Sequence, residues 1–186
     1  MSHAIDLDGV QEKLFILQHL AYGSPGFCRS ERITSQVEAG YTEFDSCWGW
    51  TKVIVSNYLI ECAVKLRMIE EHCSHKTEAE NLEALEKKAM SGLVVGHIHE
   101  GKFKLTVREA CNKIVHATTA TIDFSVQEEE PNDIQSWDGQ FNLTGIQNEK
   151  PWRFQLDVAA WAKAASRYLE LLQDKEYTLD LGQDFN

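Results

Sequence analysis

The hydrophobic period of this chain changes from helical to two near residue 118, and that change limits what the chain can fold into. Before it, apolar residues recur at helical spacing. Val55, Leu59, Cys62, Leu66 and Ile69 step by four, three, four and three, the interval that stacks side chains on one face of an α-helix. After it, apolar and polar residues alternate. Ile122, Phe124 and Val126 alternate with Asp123 and Ser125, Phe141 and Leu143 with Asn142 and Thr144, and Trp152, Phe154 and Leu156 with Arg153 and Gln155. A period of two belongs to strands with one buried face, so the spacing predicts three strands of an antiparallel meander.

The remaining elements follow from local signals. Residues 8–22 read as a first helix, with Val10, Leu14, Leu17 and Ala21 in its stripe, and Gly23-Ser24-Pro25-Gly26 should end it. Residues 27–43 read as a loop. A long helix is expected from about Asp45 to His72, with Trp48 and Trp50 near its start and at least one of them in the core. Thr77-Glu-Ala-Glu80 has the form of a capping box opening a short helix that ends near Gly92. Leu93–His99 and Lys102–Leu105 flank Glu100-Gly101 as a small hairpin, and a helix from Thr106 to Ala117 comes next. An acidic loop, 127–138, holds Pro131. Asn148–Pro151 is a tight connection, and Asp157 caps a last helix with Val158, Trp161, Ala165, Leu169 and Leu172 in its stripe. Residues 175–186 form a polar tail. The fold class is α+β, mainly α. The expectation is one domain, 1–186, with a helical core at about 8–117 and 157–174 and a β-meander insertion at about 118–156.

Composition narrows the function classes. The chain has 186 residues and 43% hydrophobic content, enough for a core without staples. Net charge is −11, from 29 acidic and 18 basic residues, which argues against broad, non-specific binding of DNA. No apolar run reaches the roughly 18 residues of a membrane span. Five irregularly spaced cysteines, without a basic segment and apolar run at the start, read as reduced thiols in a cytoplasmic protein.

The segment Val107–His116 carries the most chemistry. At 100° per residue, Val107, Ala110, Cys111, Ile114 and Val115 fall on one side and Arg108, Glu109, Asn112, Lys113 and His116 on the other. Arg108, Asn112 and His116 stand four residues apart in a polar row. A cation, an amide and an imidazole in line suit the gripping of a phosphate and proton transfer beside it. The bland reading is a solvated strip, in which Glu109 and Lys113 pair at i,i+4. On the long helix, Asn57, Glu61, Lys65 and His72 line up on a second polar face, read either as a solvated face or as a second wall opposite Arg108 and His116.

The stretch Leu105-Thr-Val-Arg-Glu-Ala-Cys-Asn-Lys-Ile-Val-His-Ala117 resembles the signature helix of HEPN-type domains. The motif of that family is an Arg, often followed by Asn, with four to six residues before a His. Asn112 and His116 fall where the family's Asn and His fall. Cys111 occupies the place of the Arg, and Arg108 lies one turn upstream. Arg67-Met-Ile-Glu-Glu-His72 has the Arg-x4-His spacing without the Asn. The resemblance implies a helical bundle, a homodimer with the site at the dimer cleft, no cofactor, and either metal-independent RNA cleavage or a non-catalytic module with a protein partner, as in toxin–antitoxin and defence systems. In the catalytic version His116 would deprotonate a ribose 2′-hydroxyl or protonate the leaving oxygen. Arg108 would stabilise charge on the phosphorane, and Asn112 would orient the phosphate or the imidazole. Lys113, Lys65 and Glu61 would contact the substrate. The enzyme requires a positive cleft around His116, and the module an exposed apolar patch.

Other chemistries are weaker. Cys73, His75, His97 and His99 are zinc-ligand types, but one-residue spacing in both halves departs from finger patterns, and no metal is expected. Cys111 lies on the apolar side of its helix, where thiols are inert. Lys150-Pro-Trp-Arg153 is a lone basic and aromatic cluster, with Trp152 expected in the core.

Overall fold

The computed structural model describes residues 5–34, 43–74, 79–128 and 133–174. The elements are α1 (Leu7–Ser30), α2 (Glu43–Ser74), α3 (Ala79–Ala89), β1 (Gly96–Glu100), α4 (Val107–His116), β2 (Thr119–Gln127), β3 (Ile134–Gln147), β4 (Lys150–Asp157) and α5 (Val158–Asp174). The chain is α+β, with helices packed against one antiparallel sheet of order β1-β4-β3-β2. One hydrophobic core runs through all five helices and the sheet, with Trp137, Phe154, Trp161 and Tyr168 among its largest buried side chains. Among the described residues, no helix is long and apolar enough to cross a membrane.

The helical stripes appear where the periodicity puts them. Val55, Leu59, Cys62, Leu66 and Ile69 of α2 are buried. Asp157 caps α5, accepting from the Ala160 N–H at 2.8 Å, and Asp6 caps α1, accepting from the Gly9 N–H at 2.8 Å. Thr77 and Glu78 of the expected capping box, Pro131 of the acidic loop and the tail 175–186 lie outside the described residues.

Four expectations fail, the briefest being the loop at 127–138, whose Gln127 belongs to β2 and whose residues 134–138 belong to β3. The first helix does not stop at Gly23–Gly26. It continues to Ser30 with Pro25 inside it. Tertiary anchoring outweighs the lost backbone bond, because the Ser24 hydroxyl accepts from the Trp137 N–H at 3.1 Å and Cys28 is fully buried beyond it. Residues 27–30 are therefore helix, not loop.

The local hairpin of 93–105 does not form either. β1 pairs with β4, with Ile98 opposite Phe154. The meander is thus not a self-contained insertion, since its fourth strand comes from the helical half. Gly96 permits this pairing. Its φ is 152°, and a Cβ there would collide with the Gln155 carbonyl and the Phe154 ring. The other half of the expected hairpin becomes an irregular segment, whose Phe103 meets Phe154 edge-on at 6.1 Å between ring centroids.

Last, Trp48 and Trp50 are both exposed, at 39% and 67%. On the 100° wheel, Trp50, Val53, Ile60, Val64 and Met68 cluster opposite the buried stripe, and all five are exposed. Helix α2 is apolar on two opposite faces, and the core covers one.

The strands β3 and β4 join through Asn148 and Glu149 at φ 51° and 63°. Two consecutive left-handed residues form the turn that matches strand twist. Asn tolerates this conformation, whereas Glu does not relieve it. Replacing Glu149 by Gly is expected to stabilise the protein by about 1 kcal/mol, read as a higher urea midpoint at unchanged slope.

Candidate functional site in the groove beside helix α4

Helix α4 is fixed at its N-terminus by two acceptors. The Thr106 hydroxyl accepts from the Glu109 N–H at 3.1 Å, and the Glu86 carboxylate of α3 accepts from the Arg108 N–H at 2.7 Å. Both satisfy amide groups that a helix start leaves open, and the carboxylate also suits the positive end of the helix dipole. Val107, Ala110, Cys111 and Ile114 are buried beneath. Burial pushes the Cys111 thiol far above its ordinary range, consistent with an inert side chain.

Lys113 departs from the wheel. It was expected on the solvated side but is 3% exposed. Its ammonium lies 4.3 Å from the Phe103 ring centroid and 4.7 Å from that of Trp152. It pairs with Glu109 at 3.2 Å and donates to Gln147 Oε1 at 2.7 Å. The reason is steric as much as electrostatic. Trp152 lies over Gly145 on the paired strand, where any Cβ would collide with the indole. The flattened indole and Phe103 form a slot that a long cationic stem fills.

The row Arg108, Asn112 and His116 lines two adjoining clefts. The larger, about 910 Å³, is bounded by Lys102, Lys104, Arg108, Asn112, Lys113, Lys150 and Trp152, among others. The smaller, about 440 Å³, takes in Asn112, Lys113, His116, Gln147 and Trp152. Asn112, Lys113, Gln147 and Trp152 belong to both, so the two form one groove.

Within the groove each predicted residue has its own partner. Arg108 binds Glu70 of α2 at 3.1 Å, and the Asn112 amide donates to Glu109 at 3.0 Å. His116 Nε2 is 3.4 Å from Nη1 of Arg67. A guanidinium only donates, so His116 Nε2 accepts and the ring proton sits on Nδ1. Arg67 also reaches Glu71 at 3.6 Å. The structure does not bring Arg108 to His116. It brings Arg67, the Arg of the second motif-like spacing, to His116, and His72 Nε2 is buried with no hydrogen-bond partner among the described residues.

Glu61 and Lys65 are elsewhere. Glu61 bridges Lys65 at 2.7 Å and Lys13 of α1 at 3.2 Å, and neither lines the groove. The zinc-ligand types weighed in the sequence stand in different elements. Cys73 is buried in α2 and His97 and His99 are exposed on β1, while His75 lies outside the described residues. Among the described residues, no group of three His, Cys, Asp or Glu is placed to hold a metal.

Sequence reading missed Arg67, Lys102, Lys104, Lys150 and Gln147. Signals existed for some. Lys150 belongs to the one basic and aromatic cluster, and Arg67 to the Arg-x4-His spacing. Gln147 carried none. The groove concentrates cations in an acidic chain. Lys104 pairs with Glu83, Arg108 with Glu70 and Lys113 with Glu109. Lys102 and Lys150 carry no ion pair among the described residues.

Beneath Arg108, Glu70 and Glu86 are each 7% exposed, and the buried Tyr168 hydroxyl has no hydrogen-bond partner among the described residues. Burial raises the Glu70 carboxyl above the ordinary value of 4.5. Arg108 opposes the rise and Glu86 adds to it. A folded-state carboxyl with a raised pKa binds protons more tightly than the unfolded chain does, so its contribution to stability falls as pH rises above that ordinary value. Glu70→Gln removes this component. The stability of the wild type relative to Glu70→Gln should therefore decline as pH rises from 4.5 towards neutrality, measured by urea unfolding at stepped pH.

Comparison of the chain with protein-family models, curated protein sequences and solved structures gives no match.

Proposed function

We propose that this chain is a HEPN-like protein that binds RNA in the groove beside α4 and cleaves it without metal, through His116. The observation that carries this reading is the 3.4 Å contact of Arg67 with His116 Nε2 beside a groove holding Lys102 and Lys150. Arg67 takes the role that the resemblance gave to Arg108. Phosphates along the strand would meet Lys102, Lys150 and Arg108. Arg67 would turn from His116 Nε2 to the phosphate and stabilise the phosphorane charge, and the Nε2 lone pair so released would accept the 2′-hydroxyl proton or return it to the leaving oxygen. Asn112 would orient the phosphate from the middle of the groove.

The test is cleavage of mixed labelled RNAs in EDTA, with binding followed in parallel. Cutting by the wild type should fall at least about 100-fold in His116→Ala and in Arg67→Ala. The paired charge reversal Lys102→Glu, Lys150→Glu should weaken binding at least about tenfold and flatten its salt dependence. A folded wild type that binds RNA without cutting it would end the enzymatic reading. One that does not bind RNA would end both.

A non-catalytic interaction module is the second reading, and the outer face of α2 favours it. Trp50, Val53, Ile60, Val64 and Met68 form an exposed stripe at three- and four-residue spacing, the pattern of a helix seam. The resemblance gives such a module a protein partner and gives the catalytic form a homodimer, and a second copy of the chain is the partner tested on this face. Sedimentation should then show a dimer, and Ile60→Asp with Val64→Asp a monomer with unchanged circular dichroism. A wild-type monomer at every concentration would remove this partner.

A further inference from the structure

Away from the α4 groove, two thiols meet where the end of α1 passes the start of α2. Cys28 is fully buried in a small core with Ile33 and Ile134, and the half-buried Cys47 packs against that cluster. The Ser24 hydroxyl lies 4.0 Å from Cys28 Sγ, and the Cys47 side chain packs against the same small cluster. Cys47 also lines an apolar cleft of about 640 Å³ between α1 and α2, with Phe27, Ile33, Trp50 and Ile54. A small oxidant can reach it there. The other three cysteines, Cys62, Cys73 and Cys111, belong to the main core and are at most 1% exposed.

We propose that Cys28 and Cys47 form a reversible disulfide when the protein meets hydrogen peroxide, a strap tying α1 to α2 beside this cleft. Cys47 reacts first. Its thiolate attacks one peroxide oxygen, the O–O bond breaks, and the departing hydroxide takes a proton to become water. Cys47 is left as a sulfenic acid. The Cys28 sulfur then attacks the Cys47 sulfur as its own proton leaves. The S–S bond forms, the S–O bond breaks, and the hydroxide takes that proton as the second water. Two thiols lose two electrons, and one peroxide becomes two waters.

The two environments divide the roles. Burial, and then the Cys47 sulfur beside it, push the Cys28 thiol up to about 11. It therefore keeps its proton near neutrality and does not react alone. Exposure to the cleft makes Cys47 the site of first attack. The bond closes the segment 29–46 into a loop, which restricts the unfolded chain.

The test treats the full chain with peroxide, blocks remaining thiols with N-ethylmaleimide after unfolding, and maps peptides by mass spectrometry without reduction. Free thiols should fall from the five of the sequence to three, with one linked peptide joining Cys28 to Cys47. Tm should rise by several degrees, and dithiothreitol should reverse both changes. In Cys28→Ser, Cys47 should stop at a sulfenic acid that dimedone traps. In Cys47→Ser, Cys28 should survive the same dose. Five thiols still free, a wild-type Cys47 oxidised without linkage, or a bond to any other cysteine would overturn the proposal.

Discussion

The ammonium of Lys113 joins the helical layer to the sheet. An isolated buried charge costs several kcal/mol, and this one is tolerated because four groups from three parts of the chain converge on it. Glu109 supplies the opposite charge from one turn back, and Gln147 an acceptor from the end of β3. Phe103 and Trp152 supply two ring faces. The same contacts hold the segment before α4, the helix itself and the β3–β4 hairpin in one place. The groove is what remains around that junction, so its shape depends on a residue that is nearly absent from its accessible surface.

Much of the architecture was legible because burial leaves a period in the sequence. The α2 stripe, the three alternating strands and the Asp157 cap are local patterns with local causes. The failures share a cause of another kind. Pro25 and its neighbouring glycines signal a helix end, yet Ser24 and Cys28 are held by strands more than a hundred residues away. Glu100-Gly101 signals a hairpin, yet the free edge of β4 outbids it for β1. Lys113 lies on the polar arc of the wheel, but a wheel carries no information about an indole pressed flat over Gly145. The row Arg108, Asn112 and His116 was readable as a set facing one way. Asn112 pairs with Glu109 one turn back in the same helix, but that Arg108 meets Glu70, and that Arg67 rather than Arg108 meets His116, depends on how α2 crosses α4, which spacing within either helix does not encode.

The electrostatic pattern sharpens the contrast between the chain and its groove. A net charge of −11 repels polyanions at long range, and dissolved salt screens that repulsion beyond about 8–10 Å. Lys102 and Lys150 act inside that distance. A phosphate-bearing ligand therefore gains little from distant steering and depends on contacts made after arrival.

The attachment of β1 also bears on how the chain acquires its fold. β1 precedes α4, yet its one strand partner, β4, begins some fifty residues later at Lys150. Contacts so distant in sequence close late, because loop entropy is lost before they form. During synthesis, Gly96–Glu100 emerges well before the strand that satisfies its backbone. Until β4 emerges, the exposed edge of β1 with Ile98 upon it remains open to any other extended segment. Completion of the sheet is thus tied to the last third of the chain, and so is protection of the helical half from mispairing.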